Sequence, residues 1–473
     1  MTNHYLKPLS SLEYNPHDIN DVVKYAKKLL KKSLNEVMLE NNQITNFHKS
    51  TNKGAFGLLL EELYFSIKNN SDSEPDIIES GIEIKSAHVK FTTKNIKVFK
   101  ERLKIGSISF EKSFNYDNLF ESPLWRKIER ILLILFIYRK GADRLDDICD
   151  YADLLIFPEE DLIQFAKDWH TIKTLVQNNR ANEITEGLTY YLSANTSGNK
   201  NDFVDAPGGL RVKRRAFSLK SAYLNELFRY KPPKLRAKIG KLKAKKNKNL
   251  EQSILDELMK YQGKSCQQIC VHFNLNYSSL IKAKDYFSRV SKLINKLILS
   301  NISENSTEIP FEEFEQFNKA GIIIKTVALE ESGNLKEAMS FPTIKWVELA
   351  EEDEWEESQL YDFISRKFLF YIYQKNTEYK NPTFVTAFFW SMPQTDIDKM
   401  QELWSNTKDK VLRNEYDSFL ASTEHSVGHV RPHARNKLDL APTPQDTMEK
   451  KQSFWLNRAY IFDVIKNQLN RVV

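Results

Sequence analysis

Gly81-Ile82-Glu83-Ile84-Lys85-Ser86 alternates isoleucine with charge, and Gly321-Ile322-Ile323-Ile324-Lys325-Thr326 repeats its frame in the second half of the chain. Side chains of a strand leave alternate faces, so the isoleucines 82 and 84 enter a core while Glu83 and Lys85 share the other face. The stretch reads as a half-buried strand opened by a glycine turn. Three further matches keep the same order, two of them at near-equal spacing. Arg126-Lys127 leading to Phe136-Ile137-Tyr138 is echoed by Arg366-Lys367 leading to Tyr371-Ile372-Tyr373. Phe217-Ser218-Leu219-Lys220-Ser221-Ala222-Tyr223 is echoed by Phe454-Trp455-Leu456-Asn457-Arg458-Ala459-Tyr460, and Lys32-Ser33 by Lys264-Ser265. Repetition in one order means two copies of one fold.

Around the strand the pattern is mixed α/β. Ala55 to Lys68 sets Phe56, Leu59, Leu60, Leu63, Tyr64 and Ile67 on one helical stripe. Ile131 to Tyr138 is a continuous apolar run, suited to a central strand or a buried helical turn, which periodicity does not separate. At 473 residues the chain exceeds what one hydrophobic core holds. Between Lys231 and Lys248 it carries nine Lys or Arg, no Asp or Glu, and the pair Pro232-Pro233. That composition is a solvated linker, able also to lie along phosphates. The expected organisation is a first domain over 1–230, a basic linker over 231–249 and a second domain over 250–473.

Composition narrows the function classes. With 41% hydrophobic and 12% aromatic residues the chain folds into packed cores rather than staying disordered. A net charge of +6 leans towards anionic partners. Cys149, Cys266 and Cys270 make no disulfide framework and fit a reducing compartment. The N-terminal stretch is polar, and no apolar run nears the ~20 residues that span a bilayer, so a cytoplasmic protein without membrane contact is expected. Gly263-Lys264-Ser265 fails as a phosphate loop because Leu258 stands where the motif needs glycine, and no nucleotide cofactor is expected. Cys266, Ile269, Cys270 and Phe273 share a helical face, which reads as core rather than as a metal site. His88 has no partner pattern suggesting a catalytic base and is expected at the surface.

The chemistry gathers on the first strand. Asp76 lies just upstream of Glu83, behind Pro75 and ahead of the Gly81 turn, so the chain can fold its carboxylate back beside that of Glu83. Two carboxylates and a backbone carbonyl are hard oxygen ligands, suited to magnesium (Mg2+) rather than zinc. A lysine beside them can hold a scissile phosphate or lower the pKa of an attacking water. The acidic-x-Lys tripeptide alone is common: Glu378-Tyr379-Lys380 and Glu449-Lys450-Lys451 also fit. What distinguishes Glu83-Ile84-Lys85 is the run upstream.

That run is Lys53-Gly54-Ala55-Phe56-Gly57-Leu58-Leu59-Leu60-Glu61, then Pro75-Asp76, then Gly81-Ile82-Glu83-Ile84-Lys85. It resembles the active-site run of the MutH mismatch-repair endonuclease family, and still more that of the family's two-domain restriction endonucleases, which cleave at GATC. The resemblance implies two tandem MutH-like (restriction-endonuclease-like) α/β domains, each a mixed sheet flanked by helices with a cleft for duplex DNA. It implies a catalytic centre of Glu61, Asp76, Glu83 and Lys85, with Asp76 and Glu83 on Mg2+ and Lys53 supporting the site or a phosphate. Glu61 and Glu62 both flank the apolar stripe; the family's lysine–glycine spacing favours Glu61. Arg211-Val212-Lys213-Arg214-Arg215-Ala216-Phe217-Ser218-Leu219-Lys220 resembles the basic segment these enzymes set against GATC. It nominates Lys213, Arg214, Arg215, Ser218 and Lys220 for DNA contact. It departs from the arginine-proline-lysine of MutH, which leaves open which side chain reads a base.

The second copy has Gln316 for Asp76 and Ile323 for Glu83, sets Asn295 opposite Glu61, and keeps only Lys325. Without carboxylates it is expected neither to bind magnesium nor to cut. Its His429-Val430-Arg431-Pro432-His433 resembles the family's recognition segment more closely, which nominates Arg431 and His433 for DNA. The family includes enzymes whose second domain binds a further site and activates the first. The resemblance therefore implies a type II enzyme cleaving double-stranded DNA at GATC with four-base 5′ overhangs. One centre per chain implies a DNA-induced homodimer or two successive nicks. The alternatives are a mismatch-repair nickase, against which the duplication speaks, and a non-catalytic GATC-binding regulator, against which the intact acidic set speaks.

Overall fold

Ile131–Ile137 is apolar on both faces and buried along almost its whole length, as a strand must be when it lies inside a sheet covered on both sides. It is the central strand of the first unit, so the open choice between strand and helix falls to strand. The structure is a computed structural model that describes residues 4–40, 54–68, 74–92, 95–198, 201–228, 249–282, 286–302, 314–376, 380–436 and 438–472. It divides into two units, Met1–Ile184 with Thr189–Phe228, and Thr185–Leu188 with Arg229–Val473. The expected basic linker lies outside the described residues except for Asn249, whose side chain caps the following helix.

In the first unit, α1 (Ile19–Lys27), α2 (Leu34–Glu40) and α3 (Gly54–Leu59) precede β1 (Glu83–Phe91), β2 (Lys97–Phe99) and β3 (Leu103–Ser107). Then come α4 (Pro123–Ile128), β4 (Ile131–Ile137), β5 (Ile148–Leu154) and α5 (Glu159–Gln177). Strands β6 (Leu192–Thr196), β7 (Phe203–Ala206), β8 (Leu210–Lys213) and β9 (Arg215–Leu219) lead into α6 (Ser221–Phe228). One sheet runs β2-β1-β4-β5 with β1 and β4 parallel; a second, antiparallel, runs β3-β9-β6, and β7 pairs with β8. The N-terminal helices bury their apolar faces on Ile84, Leu132, Ile134 and Phe136. Ser122 caps α4 with Pro123 in its first turn, which starts the helix just ahead of β4. Buried Asp168 of α5 accepts the N–H groups of Tyr190, Tyr191 and Leu192 at 2.9, 2.7 and 2.9 Å, pinning that helix to the head of β6.

Two expectations need correction here. The helix expected through Lys68 stops earlier: α3 gives way to a wider π turn, Leu60–Tyr64, and Ile67 instead bridges to Tyr5. His88, expected at the surface, is buried, because it shares the inward face of β1 with Ile84. Its ring packs on Phe56 at 5.0 Å and its Nε2 lies 3.4 Å from Asp147.

The second unit repeats the plan. Helices α7 (Leu250–Met259), α8 (Cys266–His272), α9 (Tyr277–Leu280), α10 (Tyr286–Ser300) and α11 (Glu315–Ala320) precede β10 (Ile323–Leu329) and β11 (Met339–Thr343). Next are α12 (Trp346–Glu351), α13 (Gln359–Ile364), β12 (Lys367–Gln374), β13 (Thr383–Ser391) and α14 (Gln394–Leu412). Strands β14 (Gly428–Pro432), β15 (Leu440–Pro442), β16 (Met448–Lys450) and β17 (Gln452–Leu456) lead into α15 (Arg458–Val472). Again β10 and β12 are parallel, in the order β10-β12-β13, and β11-β17-β14 is antiparallel. Ser33 bridges Ile148 at the head of β5 as Ser265 bridges Thr383 at the head of β13, so their echo in sequence marks equivalent places. Cys266 and Cys270 lie in the core of α8. No helix among the described residues is long and apolar enough to cross a membrane.

Strand register refines the repeat. Glu83 stands opposite Ile131 and His88 opposite Phe136; Ile323 stands opposite Phe368 and Ala328 opposite Tyr373. Phe136 therefore corresponds to Tyr373, two residues beyond the Tyr371 that the sequence match selects. Lys127 follows its cap Ser122 at the interval by which Phe363 follows Ser358, so its counterpart is Phe363 rather than Lys367.

Candidate active site

Strand β1 opens at Glu83, and its two-residue period puts Glu83 and Lys85 on one face. Ahead of it, Ile77 and Ile82 exchange N–H···O bonds of 2.8 and 3.1 Å around Gly81, whose φ of 66° is the left-handed conformation glycine adopts freely. That turn folds Asp76 back: its Oδ2 accepts the Ile84 N–H at 2.8 Å. The third carboxylate comes from the π turn, a wide turn often found at functional sites. Between Glu61 and Glu62, open on helical periodicity, it is Glu61 whose carboxyl interacts electrostatically with Asp76, Lys85, Glu83 and Lys127.

Glu83 is buried, 1% exposed, and its carboxylate accepts Lys85 Nζ at 2.6 Å and Lys127 Nζ at 3.1 and 3.2 Å. Lys85 also donates to the Ile84 carbonyl at 3.1 Å. Burial pushes the Glu83 carboxyl up and Asp76 adds to that, against the pull of Lys85 and Lys127. Burial, then Asp76 and Glu83, raise Glu61 to about 7, with Lys85 and Lys127 opposing. Burial alone would lower Lys85, but Glu83, Asp76 and Glu61 hold it above the ordinary lysine value. Burial and the neighbouring carboxylates thus make Glu61 and Glu83 harder to ionise.

Among the described residues no three His, Cys, Asp or Glu form a metal cage as they stand. Two lysine ammonium groups instead neutralise Glu83. The donor chemistry nonetheless fits a hard divalent cation: all donors are oxygen, and a cation would relieve the repulsion that raises Glu61 and Glu83. Lys127 is the member that sequence reasoning missed. In the sequence it is only a marker of the repeat, and nothing local ties it to Glu83.

The DNA-contact candidates separate by burial. Lys53 lies outside the described residues. Arg215, Ser218 and Lys220 are interior: Arg215 Nη1 donates to the Ala194 carbonyl at 2.9 Å, and Lys220 Nζ to that of Thr189 at 2.5 Å. Lys213 is half-buried, and exposed Arg214 pairs with Asp202 at 2.8 Å. Partial burial, then Lys85 and Arg214, lower the pKa of Lys104 on β3, which links this basic surface to the acidic cluster.

In the second unit the corresponding place holds Ile323, and Lys325 donates to the Ser340 carbonyl at 3.2 Å. Asn295 is buried and accepts the Tyr373 hydroxyl at 2.8 Å. On β14 the Arg431 guanidinium lies 3.8 Å from the Trp455 ring centre, and His433 Nδ1 meets Ser453 Oγ at 2.7 Å. Arg431 stands opposite Ser453 as Asn195 stands opposite Ala216. The counterpart of Arg431 is therefore Asn195, while Lys213, Arg214 and Arg215 correspond to Lys450, Lys451 and Gln452.

Both units set a parallel strand pair beside an antiparallel three-stranded sheet, and the first alone adds an acidic cluster with two lysines, the equipment of an enzyme that cuts phosphodiesters. The family described as DNA mismatch repair enzyme MutH matches residues 65–168, which include Asp76, Glu83, Lys85 and Lys127, and again residues 305–402. The type II restriction enzyme Sau3AI of Staphylococcus aureus is 28% identical to the chain, over 86% of this chain and 91% of that one. The chain is a tandem MutH-like enzyme of the type II site-specific deoxyribonuclease class.

Proposed function

We propose that the first unit cleaves double-stranded DNA at GATC with Mg2+, leaving four-base 5′ overhangs, and that the second unit binds a further copy of the site and activates it. The carrying observation is the contrast between the units: Glu61, Asp76 and Glu83 with Lys85 and Lys127 in one, and Ile323 with Lys325 in the other. The GATC site and the overhang rest on the family resemblance, which Sau3AI strengthens.

Asp76, Glu83 and the Ile84 carbonyl are the groups that would hold the cation. When bound it would neutralise phosphate charge and acidify a water. Lys85 and Lys127, released from Glu83, are placed to stabilise charge on the phosphate. Glu61 supports the centre as a third carboxylate beside Asp76 and Glu83. Arg214 and Lys213 supply phosphate contacts in the first unit, and Arg431 and His433 contact the recognition site in the second. One acidic centre per chain calls for a DNA-induced homodimer to cut both strands together.

Digesting plasmid DNA with Mg2+ and sequencing the ends tests the site and the overhang. Lys85→Ala should abolish cutting and retain specific binding; full cleavage by that variant would remove Lys85 from the centre.

A further inference from the structure

The segment His4–Leu6 pairs antiparallel with Ser66–Lys68. The Leu6 N–H donates to the Ser66 carbonyl at 2.7 Å and the Lys68 N–H to that of His4 at 3.0 Å, around the Tyr5–Ile67 bridge. The Ile67 N–H donates in turn to the Glu61 carbonyl at 2.9 Å. The segment is thus anchored directly behind the turn that carries Glu61.

From this anchor two side chains cross to the loop that carries Asp76. His4 Nε2 lies 2.6 Å from the Asp76 carbonyl, and because a carbonyl only accepts, Nε2 donates. The Tyr5 hydroxyl donates to Glu79 at 2.5 Å, and Tyr5 is 3% exposed. Burial first, then the Glu79 carboxylate, push the phenol's pKa up, so it stays a donor. Asp76 is consequently held at both ends, its carbonyl by His4 and its carboxylate by the Ile84 N–H. A metal ligand on a loop gains rate only if its loop is fixed, since a misplacement of ~1 Å can cost about 100-fold.

We propose that His4 and Tyr5 are positioning residues for DNA cleavage, tying the Asp76 loop to the Glu61 turn so that the acidic centre is set before cation and DNA arrive. This rests on the active-site reading above. Neither residue touches the reacting atoms; both act through Asp76.

The test uses the full chain and four variants: His4→Ala, His4→Gln, Tyr5→Phe and Asp76→Ala. Single-turnover cleavage of a short GATC duplex is measured across Mg2+ concentrations, with Mg2+ affinity by calorimetry, DNA affinity in Ca2+ and Tm alongside. His4→Ala and Tyr5→Phe should cut about 10- to 100-fold more slowly. They should bind Mg2+ more weakly and keep the parent's DNA affinity and Tm. His4→Gln, which restores a side-chain N–H donor, should recover most of the rate. Unchanged rate and Mg2+ affinity in His4→Ala and Tyr5→Phe, beside an inactive Asp76→Ala, overturns the positioning role and leaves the active-site reading standing. A rate loss that follows a fall in Tm with Mg2+ affinity intact overturns it as well. Cutting by Asp76→Ala overturns the active-site reading, and the positioning role with it.

Discussion

Lys127 and Glu83, 44 residues apart in the chain, are joined by an ion pair in which Nζ lies 3.1 Å from one carboxylate oxygen and 3.2 Å from the other. Lys85 holds the same carboxylate at 2.6 Å. The acidic centre therefore carries two cations of its own, one from the strand and one from α4.

Removing the second should cost rate. Lys127→Met takes one of the two lysines from Glu83 and, on the proposed mechanism, removes a charge that would stabilise the phosphate. Cleavage should fall about 100-fold, the scale on which one pre-placed charge acts. Lys127→Arg should retain part of it. Single-turnover rates at saturating Mg2+ measure this, and a Lys127→Met enzyme at the parental rate would exclude a catalytic part for Lys127.

Glu61 sets a pH dependence in the metal-free protein. Its folded pKa, about 7, is raised above the unfolded value, so its favourable contribution is complete below the unfolded pKa and is lost as pH rises through about 7. Glu61→Gln removes that loss. In EDTA at pH 8 the variant should be more stable than the parent by about 1–2 kcal/mol, a figure reduced from the full shift for solvent screening. Below pH 4.5, the ordinary carboxyl value, the gain should vanish. Urea unfolding at the two pH values decides; a gain at low pH only would reverse the sign and contradict the reading.

The strand and its turn were legible because alternation and a glycine are local signals, and the two-fold repeat was legible because it recurs. Lys127 was not, since its partner is reached only when α4 packs beside the head of β1. Helical periodicity does not separate Glu61 from Glu62, because both stand on a π turn it does not foresee; the family's lysine–glycine spacing is what favours Glu61. In the basic segment the charges could be counted but not their burial. Strand β9 lies between β3 and β6, which takes Arg215 and Ser218 inside and leaves Arg214 out. His88 was misplaced for the same reason: polarity in a sequence does not say which face of a strand is covered.

That division of the basic segment gives opposite expectations for adjacent arginines. Arg214→Ala should leave stability within about 0.5 kcal/mol, because its exposed pair with Asp202 contributes little. It should lower DNA affinity and reduce the log–log salt slope by about 1. Arg215→Ala leaves the Ala194 carbonyl without its donor and should destabilise the fold by about 2–3 kcal/mol. Unfolding and DNA-binding isotherms on the same two proteins separate the cases. An Arg215→Ala protein of parental stability would place that side chain outside the core.

The second unit offers the last prediction. The Arg431 guanidinium lies 3.8 Å over the Trp455 ring centre, and a guanidinium held against a ring loses less freedom when it forms two parallel hydrogen bonds to guanine. If this unit binds a further GATC and activates the first, Arg431→Ala should abolish the advantage of a plasmid with several sites over one with a single site. It should leave the slow single-site rate unchanged, because Arg431 belongs to the second unit while the acidic cluster lies wholly in the first. Trp455→Phe keeps a ring beneath the guanidinium and should lower the advantage only partly. Time courses on the two plasmids measure the ratio directly. Equal rates on both plasmids in the parent enzyme would deny the second unit an activating role, and an Arg431→Ala enzyme that keeps the full ratio would move the contact to Lys450 and Lys451, the counterparts of the first unit's Lys213 and Arg214.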